Sequence, residues 1–88
     1  MRKDGAWSEW MVADEEAVNI LSAVTRNTEK FEHFFSEQPQ SLTVLQYRRQ
    51  TVNGFNYDLR VLVDGQLMRM QVYKQASYSP ELMDVKKE

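Results

Sequence analysis

Apolar positions along the chain change period twice. Residues 1–13 show no regular spacing and read as an irregular arm carrying Gly5, Trp7 and Trp10. From Asp14 onward Ala17, Ile20, Leu21, Val24, Thr28, Phe31 and Phe35 recur at steps of three and four, with Asn19, Arg26, Asn27, Glu29, Lys30 and Glu32 between them. That spacing puts one apolar stripe on a helix, and it predicts a single helix over 14–36 of about five turns. Asp14 suits the N-cap, and Glu15 and Glu16 suit the positive end of the helix dipole. The helix stops at SEQPQS, because Pro39 cannot continue it and disfavours helical backbone at Gln38.

From residue 41 to 87 the period is two. Leu45 and Tyr47 alternate with Gln46 and Arg48, and Tyr57, Leu59, Val61 and Val63 alternate with Asn56, Asp58, Arg60 and Leu62. Met68, Met70 and Val72 face one way, and Arg69, Gln71 and Tyr73 the other. Each run has one apolar face, as a half-buried strand requires. Asp64-Gly65 suits a type I′ hairpin turn. A second break falls at ASYSPE, and LMDVKK can close the sheet. A one-faced sheet must bury that face, and the helix stripe is its available partner. The expected fold is therefore α+β: one long N-terminal helix across a four- to five-stranded antiparallel sheet, in one domain spanning 1–88.

Composition narrows the function. The chain has 88 residues, which allows one thin core. It has no cysteine, so neither a disulfide nor a thiolate metal site can reinforce that core. The 11 basic and 13 acidic residues give a net charge of −2, unlike the basic surface of a nucleic-acid binder. No apolar run reaches the roughly 20 residues that a membrane helix needs. The first ten residues lack the apolar core of a signal peptide, roughly 7 to 15 residues long. A cytoplasmic location is expected, with secretion the alternative if the chain is a mature form.

Catalytic chemistry is sparse. His33 is the lone histidine and reads as a surface or half-buried residue. No Gly-x-Ser-x-Gly elbow occurs. Gly5, Gly54 and Gly65 are too scattered to cradle a phosphate. Glu15 and Glu16 diverge by about 100° on a helix and read as first-turn acids. Arg48-Arg49 reads as a solvated basic pair, and Met11, Met68, Met70 and Met83 as core filler. The expectation is not an enzyme, with no cofactor and no metal.

One stretch remains unexplained by folding needs. QTVNG, Gln50–Gly54, places an apolar Val52 at a hairpin tip, where water reaches it. This stretch resembles the Gln-x-Val-x-Gly first hairpin loop of the cystatin and stefin family. The likeness extends to the following strand FNYDLRVLV, to MRMQVY, and to Gly5 ahead of the helix. It implies a cystatin-like fold, and a reversible, tight-binding, competitive inhibitor of papain-like cysteine proteases of the cathepsin class. An N-terminal arm and two hairpin loops would form a wedge that fills the active-site cleft without presenting a scissile bond.

On that resemblance the protease-binding residues are Gly5, Gln50, Thr51, Val52, Asn53 and Gly54, with Ala76, Ser77 and Tyr78 in the second loop. Val52 would be the apolar plug, Gln50 and Asn53 would shape the loop, and Gly54 would permit a close approach. The chain departs from the pattern in three places. The second loop has no Trp, leaving Tyr78 as either its aromatic stand-in or ordinary loop packing. The arm before Gly5 is charged rather than apolar. Trp7 and Trp10 follow the glycine and are expected to cover one end of the core. The absence of disulfides is similar to stefins and plant cystatins. The expected state is a monomer, with a domain-swapped dimer opened at the first hairpin as the alternative. A non-inhibitory protein-binding module of the same fold is the competing function.

Overall fold

Three alternating runs reverse direction at two-residue or one-residue turns, so each strand pairs with the next. The computed structural model describes residues 5–88. The elements are β1 (Met11–Val12), α1 (Glu15–Arg26), α2 (Thr28–Phe34), β2 (Leu42–Val52), β3 (Gly54–Val63), β4 (Gln66–Lys74) and β5 (Glu81–Lys87). All five strands form one antiparallel sheet in the order β1-β2-β3-β4-β5. The two helices pack on one face of it, which makes the domain α+β. Among the described residues no helix is long and apolar enough to cross a membrane.

The period-two reading holds best in β3. Tyr57, Leu59, Val61 and Val63 are buried there, facing Ala17, Ile20, Leu21, Val24 and Phe31 of the helices within one core. Met70, Val72 and Leu82 extend it into β4 and β5. At the β3–β4 turn Asp64 and Gly65 both have positive φ, 49° and 84°, as a type I′ turn demands. The Asp64 carboxylate also accepts from the backbone N–H groups of Gln40 and Ser41, each at 2.9 Å. The turn thereby anchors the connection leading into β2.

The single helix expected over 14–36 is two helices. Asn27 leaves helical geometry at φ −85° and ψ 80°, and its side chain accepts from the Lys30 N–H at 3.4 Å. An Asn side chain competes well for backbone donors and so favours caps over helix interiors. The apolar stripe survives the break, since Val24 and Phe31 are both buried, but Thr28 is exposed. The helical segment ends at Phe34, ahead of Pro39.

The arm is not irregular throughout. Met11 and Val12 pair with Tyr47 and Gln46, and Trp7 bridges to Gln50. Ser8 N–H donates to the Arg49 carbonyl at 2.8 Å. The arm therefore runs along β2 as an edge, which supplies backbone partners that a free segment would lack. In β2 the expected inward Leu45 is exposed, and Val44 and Tyr47 are buried instead. A register shift between Val44 and Gln46 inserts the extra residue, and the Leu45 carbonyl accepts from Ala13 N–H at 3.0 Å.

The tryptophans do not cover an end of the core. They lie on the sheet face away from the helices, with Trp10 against the guanidinium groups of Arg48, Arg60 and Arg69 at 4.8, 3.9 and 5.3 Å. Beneath them Asp58 is only 1% exposed. It accepts from Arg48 at 3.1 Å and from Arg69. Arg48 and Arg49 are therefore not a solvated pair: Arg48 serves Asp58, and Arg49 on the helix-facing side binds Glu16 at 2.6 Å. Met83, expected as core filler, is also a correction, at 55% exposed.

Candidate functional site

Antiparallel order sends the β2–β3 and β4–β5 connections to the same end of the sheet, opposite Asp64-Gly65. The arm reaches that end along β2. There Gly5 N–H donates to the Thr51 carbonyl at 2.9 Å, and the Gln50 side-chain amide donates to the Gly5 carbonyl at 2.9 Å. The Gln50 carbonyl oxygen accepts from the Asn56 side chain at 3.0 Å. Gln50 thus ties arm, β2 and β3 together, and its amide groups are spent on that task.

The first hairpin is extremely tight. Val52 pairs with Gly54, leaving Asn53 alone at the turn. Gly54 takes φ +117°, where a side chain is strained, and Val52 does not. A Cβ on Gly54 would sit 2.6 Å from the Lys74 carbonyl oxygen and 3.1 Å from the Gln75 Cα. Glycine there is what lets the first hairpin press against the start of the second loop. Tyr73 adds a strut, its hydroxyl donating to the Asn53 carbonyl at 2.5 Å.

The second loop is clamped by Lys74. Its ammonium donates to the carbonyls of Ala76 and Tyr78 at 2.7 Å each, and the Tyr78 N–H donates to the Gln75 carbonyl at 2.8 Å. Ala76 and Ser77 are exposed, and Tyr78 is 67% exposed, so its ring stands out from the loop rather than packing into it. Val52 is half-buried and Thr51 and Asn53 are exposed. The structure thus brings Gly5, Gln50–Gly54 and Ala76–Tyr78 to one end. The charged segment expected ahead of Gly5 lies outside the described residues.

Tyr73 and Lys74 escaped the sequence reading. The available signal was their place, the last two residues of a strand before a loop, where long polar side chains can reach turn carbonyls. Glu16 does more than face the helix dipole. It accepts from Arg49, from the Tyr57 hydroxyl at 2.7 Å and from the Tyr47 hydroxyl at 3.2 Å. Asp14 shares the Tyr47 hydroxyl at 2.9 Å. This cluster pins the start of α1 to the two strands that carry the first hairpin.

Electrostatics there follow from burial and carboxylate contacts. Desolvation, then the hydrogen bond to Glu16 and its charge, push the Tyr57 hydroxyl up to about 12. Desolvation and the hydrogen bond to Asp14 raise Tyr47 further. Desolvation pushes the Asp14 carboxyl up, but the Ala17 N–H and the Tyr47 hydroxyl pull it, on balance, below its ordinary value. Both phenols therefore stay protonated and act as donors at neutral pH.

What this end can do chemically is bind. It presents a half-buried Val, an exposed Tyr, small residues and backbone groups, on hairpins fixed before any partner arrives. Among the described residues no three His, Cys, Asp or Glu side chains are grouped to hold a metal ion. His33 sits on α2, its ring edge-on to Phe34, and lines a recess with Leu82 and Met83 at the start of β5. The chain matches no known protein-family description and no curated protein sequence.

Proposed function

We propose that the protein is a reversible, competitive inhibitor of papain-like cysteine proteases, with a cystatin-like fold. One observation carries the reading: Gly5, the Gln50–Gly54 hairpin and the Ala76–Tyr78 loop meet at one end of the sheet, Gly5 bonded directly to Thr51 and Gln50, and the hairpin and the loop held by Tyr73 and Lys74 of β4. These are the three elements that the resemblance to cystatins and stefins requires on one wedge. Val52 and Tyr78 supply apolar contact on either side of the catalytic cysteine. Gln50, Tyr73 and Lys74 hold the loops in place, so little ordering entropy is lost on binding. Since the wedge offers exposed turns and no extended segment across the cysteine, it blocks the cleft without being cleaved.

Titration of papain and a cathepsin with the pure protein tests this. Val52→Asp is the informative variant, because Gly54 variants would strike the Lys74 backbone and disturb the fold. Burying a Val is worth roughly 1.5–3 kcal/mol, so its loss should weaken inhibition about 10- to 100-fold. A folded parent that leaves both proteases fully active would defeat the reading and favour a protein-binding module of another kind.

A further inference from the structure

The sheet face away from the helices carries a recess of about 400 Å³. Its walls are Trp7 of the arm, Tyr73 of β4 and Met83 of β5, and its floor includes Asn56 and Gln71. That volume is within the range of small-molecule sites, roughly 300–1,000 Å³. The geometry points to a binding site for a neutral sugar ring, stacked on Trp7 and hydrogen-bonded to Asn56 and Gln71. This inference is independent of the protease reading.

Charge comes first. The same face holds Arg48, Arg60, Arg69, Asp58 and Glu88, yet none of these lines the recess, and they are paired with one another. Among the described residues a charged ligand would find no counter-charge on these walls, so the occupant is uncharged.

The platform is fixed in advance. The Trp7 backbone is bridged to Gln50, and the Arg48 guanidinium packs 4.8 Å from the indole centroid. The residue is nevertheless 37% exposed, so part of a ring held from one side remains open. A rigid aromatic platform suits the flat C–H face of a pyranose at little entropic cost.

The open hydrogen-bonding groups then select hydroxyls. Asn56 spends its amide on Gln50, and among the described residues its side-chain carbonyl accepts no hydrogen bond. Gln71 makes no side-chain hydrogen bond among the described residues, so it offers both a donor and an acceptor. The Tyr73 hydroxyl spends its proton on Asn53 and keeps its lone pairs. Hydroxyls that donate and accept on one atom match this mixture. A purely apolar ligand would bury Gln71 unsatisfied. A nucleobase would compete for the two aromatic walls, Trp7 and Tyr73, so adenosine is the control ligand.

Proton–nitrogen correlation spectra recorded during titration of the full chain with cellobiose, maltose, lactose and methyl glucoside test the site. The expected result is saturable movement of the Asn56 and Gln71 side-chain amides and the Trp7 indole N–H, with the Trp10 indole still. Gln71→Ala should weaken binding about tenfold, the loss of one or two hydrogen bonds. Met83→Lys, on an exposed wall, should weaken it as well, and unchanged backbone spectra establish that both variants are folded. No saturable movement with any of the four sugars overturns the proposal. So does binding that both variants leave intact, or tighter binding of adenosine than of every sugar.

Discussion

Gly5 and Thr51 are joined so closely that a side chain on the glycine has no room. The Gly5 N–H meets the Thr51 carbonyl at 2.9 Å, and a Cβ on Gly5 would lie 2.9 Å from that same oxygen. Gly5→Val should therefore lift the end of the arm off β2 and leave the core intact. Amide exchange at Ser8 should quicken, while the urea midpoint stays nearly constant. On the inhibitor reading, the inhibition constant for papain should rise about tenfold, the equivalent of about 1.4 kcal/mol. An arm that remains protected from exchange in this variant would contradict the close contact.

Gly54 and Gly65 both have positive φ, but their surroundings differ. Gly54 faces the Lys74 backbone, and Gly65 has nothing within 4 Å. Gly65→Ala should cost only the backbone strain, about 1 kcal/mol. Gly54→Ala adds a clash and should cost about 2–3 kcal/mol or more. Urea unfolding of the two variants, compared at constant m-value, checks the order.

Asp58 is the buried charge of the outer face. Asp58→Ala leaves Arg48 and Arg69 without their carboxylate and should destabilise the domain by about 3 kcal/mol, at the lower end for a broken buried pair because both arginines reach water. Replacing Arg48 alone with Met should cost less, since Arg69 still pairs with Asp58. Equilibrium denaturation of the two variants decides it.

Alkaline pH should attack the start of α1. Tyr57 is held up to about 12 and Tyr47 higher. A raised pKa stabilises the fold fully below the unfolded value, near 10, and that contribution fades as pH rises through the folded value. Stability should thus fall from about pH 10 to about pH 12. In Tyr47→Phe, Tyr57→Phe this part of the fall should be absent, as chemical denaturation at stepped pH would reveal.

The meander was legible because β3, β4 and the Asp64-Gly65 turn obey local rules: a period of two and residues that tolerate positive φ. The two departures in the helix and β2 turn on single residues. Asn27 caps α2 instead of continuing α1, and periodicity across 14–36 cannot register a break that keeps the stripe in phase. The bulge at Leu45 moves one side chain to the outer face, and alternation alone assigns it inward. At the proposed binding end, Gln50–Gly54 stands out in the sequence as a hairpin-tip motif, but its supports do not. Tyr73 and Lys74 act on carbonyls reached only once the hairpins are side by side. Asp58 reads as an outward polar residue of β3, and its burial comes only with Arg48 and Arg69 folded onto it and Trp10 lying against their guanidiniums.

Both tryptophans of the chain belong to that arm, which gives the molecule a built-in division of optical signals. Indole emission reports the docking of residues 7–12 on the sheet face, where guanidinium groups lie against the rings. Tyr47 and Tyr57, inside the core, report the sheet and helices. The arm joins β2 only by closing a loop around both helices, from Met11 to Tyr47, whereas β2 to β5 zip between consecutive segments. In a refolding jump the tyrosine phase should precede the tryptophan phase. Red-edge excitation, absorbed by indole alone, then isolates attachment of the arm, and the tyrosine emission band read beside it follows assembly of the domain, with no label added.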